Sequence, residues 1–327
     1  MNEADALANL LGTGRRAAEP QPSAAVPAPP RALHASDPSA PAPALAPAIP
    51  GARAFWSWIT LGLLACAGWI LGSVTLLQAW LAQGKFGAGW SAGRVDLTGS
   101  MIVFGGLLGV SLLLMRMMPV ASDRHRRMAV LPACALGLGL GAGGMMFSLL
   151  QAWLGNHVIV APANAATTAL ASSLLVGAAL IFFEAAVEEI CFRGWLQRRL
   201  ATRISPAAAV VLAAIAFSLL HIFGGARSPL ALVNIFLAGV FFGVLAQRTG
   251  SIWAAIWAHF GWNWAETSLF GLSPNPGAPG FGAVFDLDLV GAPIWGGSAE
   301  GLNASVAITI VLVALLLPLL ALRTRPE

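Results

Sequence analysis

Long apolar runs alternate with short polar segments over most of this chain. From Phe55 onward, eight runs are each long enough to cross a hydrocarbon core of about 30 Å, which takes about 20 helical residues. The pattern therefore predicts an all-α polytopic membrane protein with about eight transmembrane helices. The predicted segments are 55–81, 97–116, 128–154, 169–192, 206–223, 229–246, 251–270 and 304–322.

The first 53 residues differ from the rest in composition. Alanine and proline dominate them, as in Pro-Ala-Pro-Pro at 27–30. Such a segment buries too little apolar area to offset the entropy of ordering it. We therefore expect a disordered cytoplasmic tail over 1–53 and a transmembrane domain over 54–327. No apolar run follows the pair Arg15-Arg16, so we expect no cleaved signal peptide.

Charged residues are scarce and scattered, and this excludes a soluble globular protein and a nucleic-acid-binding protein. They make up 10% of the chain, against about 25% in a soluble domain, and the mean hydropathy is +0.77. The net charge of +4 would suggest a nucleic-acid partner only if the basic residues formed one water-facing patch, but they lie between apolar runs. We expect a lipid bilayer and no nucleic acid as partner.

The cysteines give no sign of a disulfide or a metal site. Cys66, Cys134 and Cys191 have no paired or metal-binding spacing, so we predict no disulfide or zinc site from them.

The basic residues instead indicate an orientation. Outside the tail, eleven fall in one set of alternate connections and three in the other. The positive-inside rule then places both termini in the cytoplasm of a bacterial-type inner membrane, with segment 271–302 facing outward. The eleven are Arg116, Arg124, Arg126, Arg127, Arg193, Arg198, Arg199, Arg203, Arg248, Arg323 and Arg325, and the three are Lys85, Arg94 and Arg227.

Carboxylates occur inside the fourth predicted helix, where an ionisable group costs a few kcal/mol and needs a reason. They are Glu184, Glu188 and Glu189. Arg193 follows Glu189 by four residues, so the two share a helix face and can pair. Glu188 is rotated by about 100° from Glu189 and faces a different neighbour.

The fifth predicted helix carries His221, and the seventh carries His259 and Asn263, four residues apart on one face. At 1.5 Å per residue, Glu188 and His259 lie at similar depths, about 15 Å and about 12 Å from the cytoplasmic ends of their helices, if the fourth helix continues to Arg198. His221 lies deeper, so the fifth helix either begins outside the bilayer or has an irregular first turn. We expect one shared pocket in the cytoplasmic half, open toward the cytoplasm.

A carboxylate, two imidazoles and an amide in a low-dielectric cavity are suited to activating water. No serine or cysteine stands beside a histidine in a nucleophile motif. We expect Glu188 to take a proton from water as general base, with His221 positioning that water. His259 and Asn263 would donate hydrogen bonds to the oxyanion of a tetrahedral intermediate. These roles predict hydrolysis of an amide bond inside a membrane.

Three short motifs occur in this order: Glu-Glu-x-x-x-Arg at 188–193, Phe-x-x-x-His at 217–221 and His-x-x-x-Asn at 259–263. In this combination the chain resembles the CPBP (Abi, or CAAX protease-like) family of intramembrane glutamic endopeptidases. The resemblance implies a catalytic core on helices four to seven, about 169–270, that uses no metal or cofactor. Its substrate would be a membrane-associated protein or peptide. The catalytic residues would be Glu188, His221, His259 and Asn263, with Glu189 and Arg193 supporting them.

Other interpretations remain open at this point. Glu188, His221 and His259 match a zinc site with two histidines and one glutamate, although no His-Glu-x-x-His motif is present. A non-enzymatic immunity or scaffold protein would bind a peptide in the same cavity, and a transporter would use the carboxylates as a proton relay. Glu184 lies outside the motifs, and we expect a structural or pocket-lining role for it. We expect Glu266 to be interfacial.

Overall fold

The computed structural model describes residues 51–120, 128–160, 171–272 and 279–321. Of the tail predicted for 1–53, only the last three residues lie inside these ranges, and Ala52 already begins the first helix. Each predicted apolar segment contains a helix. The helices are α1 (Ala52–Ala82), α2 (Ala92–Met117), α3 (Val130–Leu154), α4 (Ala171–Glu189), α5 (Pro206–Gly224), α6 (Pro229–Thr249), α7 (Ile252–Trp264) and α8 (Val306–Ala321). Outside the described ranges lie Arg124, Arg126, Arg127, Arg323 and Arg325.

Serine caps and glycines define several helix ends. The hydroxyls of Ser91, Ser205 and Ser228 each accept a hydrogen bond from the backbone N–H three residues later, at 3.3, 3.2 and 3.5 Å. The cap at Ser91 is why α2 begins at residue 92 rather than at the predicted 97. Gly225 and Gly250 end α5 and α6 in the left-handed region, at φ 116° and 62°, which glycine adopts without strain.

The fourth helix does continue to Arg198, but not as a regular α-helix, so the depth estimated for Glu188 at 1.5 Å per residue does not apply directly. At Ile190 it passes into a π-helix, π1 (Ile190–Gln197), and then into one short turn, Arg198–Leu200. A second π-helix, π2 (Ala265–Leu269), continues α7. A π-helix has the same apolar composition as an α-helix but i→i+5 hydrogen bonds. Hydropathy therefore does not reveal it.

Large apolar side chains cover the outside of the helices, and polar ones lie inside. Leu131 and Leu175 are 80% and 71% exposed, whereas Glu189 is 0% exposed. Five helices, α1, α2, α3, α5 and α6, are both long and apolar enough to cross a membrane, and α8 is a shorter apolar helix. The all-α membrane-type fold is thus confirmed, and the figure of about eight crossings stays a prediction.

The helices share two common ends. At the arginine end, Arg199 donates a hydrogen bond to the carbonyl of Pro119 (3.4 Å), and its guanidinium lies 5.3 Å from the ring of Phe55. There too, Arg248 donates to the carbonyl of Leu320 (3.4 Å). The described basic residues near this end outnumber those at the opposite end, as the orientation argument assumes.

We call the opposite end the loop end, because residues 279–304 fold over it. Gly280 N–H donates to the carboxylate of Asp96 at 2.9 Å, and the hydroxyl of Ser173 donates to the carbonyl of Phe281 at 3.0 Å. A short ribbon adds two antiparallel strands, β1 (Val158–Val160) and β2 (Leu287–Leu289). Three 3-10 turns complete this end: Pro279–Phe281, Pro293–Trp295 and Gly301–Ala304.

Most buried apolar side chains of the described residues fall into two large clusters. The first joins α3, α6, α7 and α8 and includes Phe241, and the second joins α1, α2, π1 and α5 and includes Trp195. The second cluster also brings the sulfur atoms of Cys66 and Cys191 to 3.8 Å. These thiols are 125 residues apart, so no sequence spacing relates them.

Close packing of α3 against α7 holds the site in place, and it depends on glycine. A Cβ atom at Gly141 would overlap the carbonyl oxygen of Ala258, which adjoins His259. We expect Gly141→Ala to push the helices apart and lower the free energy of unfolding by about 1–3 kcal/mol. Gly139→Ala on the same helix is the matched control, since its Cβ meets nothing within 4 Å. Thermal unfolding in detergent measures both, and equal melting temperatures would contradict the packing argument.

Candidate active site

The predicted site begins where α4 changes into π1. Glu188 and Glu189 are the last two residues of α4, and Arg193 lies within π1. Single-turn π segments inside helices are frequent at functional sites. Here the change of helix type follows directly after the two glutamates of the first motif.

Glu189 is at the centre of a buried ion-pair network. Its Oε1 accepts one hydrogen bond from Nη1 of Arg193 and another from Nδ1 of His259, both at 2.9 Å. Nη2 of Arg193 donates to the carbonyl of Gly239 on α6 at 3.0 Å. The predicted pairing of Glu189 with Arg193 is therefore confirmed. These groups are buried, and their hydrogen bonds join α4, π1, α6 and α7 at one point.

Glu188 faces in a different direction, as its rotation on the helix predicts. Its side chain is 18% exposed, and its Oε2 lies 3.6 Å from Nε2 of His259. The exposed part lines a cavity, whereas Glu189 is fully enclosed. Adjacent residues thus separate two tasks: one carboxylate fixes the network and the other is accessible.

The hydrogen bonds determine where the histidine protons lie. The ring of His259 donates its Nδ1 proton to Glu189, so Nε2 carries a proton only when the imidazole is doubly protonated. In that form Nε2–H points toward Glu188. His221 donates its Nδ1 proton to the carbonyl of Phe217 at 2.8 Å. Its Nε2 is therefore an acceptor in the neutral ring.

The cavity has a volume of about 380 Å³ and a mainly apolar wall. Glu184, Glu188 and His221 line it together, and the hydroxyl of Ser100 donates a hydrogen bond to Glu184. The expected pocket-lining position of Glu184 is confirmed. The apolar wall includes Ile70, Leu77, Leu81, Val95, Leu107 and Leu220.

The position of the cavity corrects one expectation. Its lining runs from mid-helix, at Phe192, to Phe86 and Gly224 at the loop end. The expectation of a pocket in the half that carries the arginines was therefore wrong. An irregular first turn of α5 is also excluded, because the helix begins regularly at Pro206. His221 simply lies in the last turn of α5, nearer the loop end.

Three further predicted residues, His259, Asn263 and Glu266, are not among the side chains that line this cavity. Asn263 is half-buried one turn after His259, and it is not among the side chains that line the cavity. Glu266 is 3% exposed and accepts a hydrogen bond from Asn303 at 3.1 Å. Glu266 is therefore buried inside the protein near the loop end, and its depth relative to the membrane interface stays a prediction.

The described residues contain no group of three or more histidine, cysteine, aspartate or glutamate side chains arranged to hold a metal ion. Nε2 of His259 lies near Glu188, and Nδ1 is bonded to Glu189. A carboxylate on the other ring nitrogen is found with metal-ligating histidines as well as with acid–base histidines, so this contact does not separate the two. Among the described side chains, Glu188 and His259 form a carboxylate–imidazole pair. A second histidine, His221, is fixed by its bond to the carbonyl of Phe217 and lines the same cavity as Glu188.

Apolar helices around a polar interior make this chain an integral multi-pass membrane protein. Within it, residues 170–265 match the family model described as Type II CAAX prenyl endopeptidase Rce1-like. The match confirms the resemblance over α4 to α7, and it includes all four predicted catalytic residues. The matched family is one of proteases. A comparison with curated proteins and another with solved structures each found no match.

Proposed function

We propose that this protein is a metal-independent intramembrane glutamic endopeptidase that hydrolyses a peptide bond of a membrane-associated protein or peptide. The observation that carries the proposal is the pairing of Glu188 with His259. One carboxylate faces a cavity, and the imidazole beside it is fixed by a second carboxylate. The match of residues 170–265 to a protease family supports the same reaction class.

The reaction begins with a water molecule between Glu188 and His221. Nε2 of His221 accepts one of its hydrogen bonds, and Glu188 takes a proton as the water oxygen attacks the carbonyl carbon of the substrate. The doubly protonated His259 donates Nε2–H to the resulting oxyanion. Asn263, one turn further along α7, stays the predicted second donor, although it is not among the side chains that line the cavity. When the C–N bond breaks, Glu188 returns its proton to the leaving amine. All atoms and protons balance without a further reactant.

The orientation and the route of access belong to the same proposal. The excess of arginines at one end supports a cytoplasmic location for that end and for both termini, in a bacterial-type inner membrane. Because the cavity extends toward the loop end, the scissile bond reaches Glu188 from that side. A volume of about 380 Å³ accommodates a few residues of an unfolded segment.

A comparison of membrane peptides tests the function in cells. In cells lacking the native gene, wild type and Glu188→Gln are expressed at equal levels, and new peptide termini in the membrane fraction are identified by mass spectrometry. We expect a defined set of termini that appears only with wild type. Identical sets would indicate a protein that binds a peptide without cleaving it, or a transporter.

Metal removal separates the glutamate mechanism from a zinc mechanism. We expect the purified protein to contain less than stoichiometric zinc and to keep its rate of peptide cleavage after treatment with a strong chelator. A catalytic zinc ion would supply the attacking hydroxide itself, so its removal would abolish the reaction. Loss of cleavage on chelation, with recovery on adding zinc, would contradict the proposal.

A further inference from the structure

We infer that Phe242, on α6, is a positioning residue for this reaction: its ring holds the imidazole of His259 in the plane that aims Nε2 at Glu188. The inference rests on the proposed function and adds a residue that lies outside all three motifs. Phe242 is 2% exposed and does not line the cavity, so it acts through His259 rather than on the substrate.

The first support is the geometry of the ring pair. The rings of Phe242 and His259 are stacked, with centroids 4.7 Å apart and an interplanar angle of 18°. The two nitrogens of His259 point to Glu188 and Glu189 at the edge of the ring. Hydrogen bonds at the edge leave the ring free to tilt about the line that joins them. A second ring lying flat against the imidazole face removes that freedom.

The second support is the position of Phe242 relative to Arg193. The guanidinium carbon of Arg193 lies 5.5 Å from the centroid of Phe242, 4.6 Å from that of Phe217 and 5.8 Å from that of Phe192. Nε of Arg193 is buried with no hydrogen-bond partner among the described residues, and three phenyl rings lie within 6 Å of the guanidinium carbon. Cation–π attraction between a buried guanidinium and such rings is favourable.

Phe242 thus contacts both groups that donate hydrogen bonds to Glu189. His259 and Arg193 reach the same oxygen from different elements, and one phenyl ring fixes both. Phe217 also approaches His259, but edge-on at 5.9 Å and 77°, so it does not cover the ring face in the same way. The stacking role therefore belongs to Phe242 specifically.

Phe241 provides a matched control. It precedes Phe242 on α6, is 0% exposed, and has its centroid 5.4 Å from that of Phe242. Its ring contacts that of Phe242, and it belongs to the apolar cluster of α3, α6, α7 and α8. Phe241→Leu and Phe242→Leu therefore remove the same volume from the same helix. Only the second removes the ring that lies on His259.

The test combines a spectroscopic and a kinetic measurement on the full-length protein in detergent. With 15N-labelled histidine, and with the signals of His259 assigned by their loss in His259→Gln, we expect one set of His259 ring signals, with both nitrogens protonated as the proposed reaction requires, in wild type and in Phe241→Leu. Phe242→Leu should show ring signals averaged over more than one orientation and protonation state. With a peptide taken from the cleaved set, kcat should fall about tenfold or more in Phe242→Leu while KM is unchanged, since displacing a catalytic group by a fraction of an ångström has effects of this order.

Phe242→Met serves as a second variant, because methionine is unbranched and flexible, adapts to the space left by the phenyl group, and lacks a ring. It should show the same averaging and the same loss of kcat, even if Phe242→Leu folds poorly. Unchanged His259 signals in either foldable Phe242 variant, or equal changes in Phe241→Leu, would overturn the inference. The histidine signals do not require peptidase activity, so this result is distinguishable from a failure of the proposed function.

Discussion

Replacing Glu188 with glutamine is expected to lower the rate of peptide hydrolysis by about 10²- to 10⁴-fold, the usual contribution of a positioned general base. Glutamine has the shape of glutamate but accepts no proton. Because Glu188 is partly exposed to the cavity and forms no salt bridge with an arginine of the described residues, the variant should fold like wild type. The measurement is kcat for a cleaved peptide, with thermal unfolding measured in parallel.

Glu266→Gln is the control for this prediction. Glu266 is another buried carboxylate on the same bundle, and it is held by Asn303 at a distance from the cavity lining. We expect its replacement to leave the rate of hydrolysis close to that of wild type. Equal rates in wild type and Glu188→Gln would exclude Glu188 as the base, and an equal loss in both variants would point to a general effect of removing a buried charge.

Arg193→Leu is expected to give the largest loss of stability. It leaves the carboxylate of Glu189 fully buried without its guanidinium partner, and breaking a buried pair in this way costs about 3–5 kcal/mol. His259 alone then offsets the charge. Thermal unfolding in detergent should show a melting temperature lower by on the order of 10 °C.

Two further variants define the cause of that loss. Replacing both partners, Glu189→Leu with Arg193→Leu, should recover part of the stability, because no isolated buried charge remains. Arg198→Leu removes an arginine from the same segment at an exposed position, and it should change the free energy of unfolding by less than about 0.5 kcal/mol. If Arg193→Leu has the same melting temperature as Arg198→Leu and wild type, the network of Glu189, Arg193 and His259 does not stabilise the fold.

Helix positions and helix faces were accessible from the sequence. Hydropathy located every apolar helix within a few residues, and a spacing of four residues predicted the pair of Glu189 and Arg193. The same reasoning separated Glu188 from Glu189, since neighbouring side chains on a helix point about 100° apart. These features depend on local periodicity, which can be read from a single amino-acid sequence.

Contacts between helices were not accessible in the same way. The stack of Phe242 on His259, the hydrogen bond of Ser100 to Glu184 and the course of the cavity toward the loop end depend on which helices are neighbours. Periodicity gives the apolar face of each helix but not its partner. Phe242 in particular lies in an apolar run, Val240 to Leu245, where nothing distinguishes it from lipid-facing or core phenylalanines.

The backbone change at π1 was also hidden from the sequence. Its residues include Cys191, Arg193 and Gly194 within an otherwise apolar stretch, and their composition suits an α-helix as well. The π geometry places Arg193 between Glu189 and the carbonyl of Gly239, where it satisfies two partners at once. A buried guanidinium without partners would be costly. The hydrogen bonds to Glu189 and Gly239 offset that cost, and the second of them joins different helices, so local sequence does not reveal it.

The most direct test of the account is the cleavage rate of the purified, chelator-treated protein reconstituted in lipid vesicles, with wild type and Glu188→Gln compared on one peptide from the cleaved set. The account predicts cleavage by the metal-free wild type and a rate about 10²- to 10⁴-fold lower for the variant of equal thermal stability. Cleavage by Glu188→Gln at the wild-type rate, or none by the metal-free wild type, would contradict it.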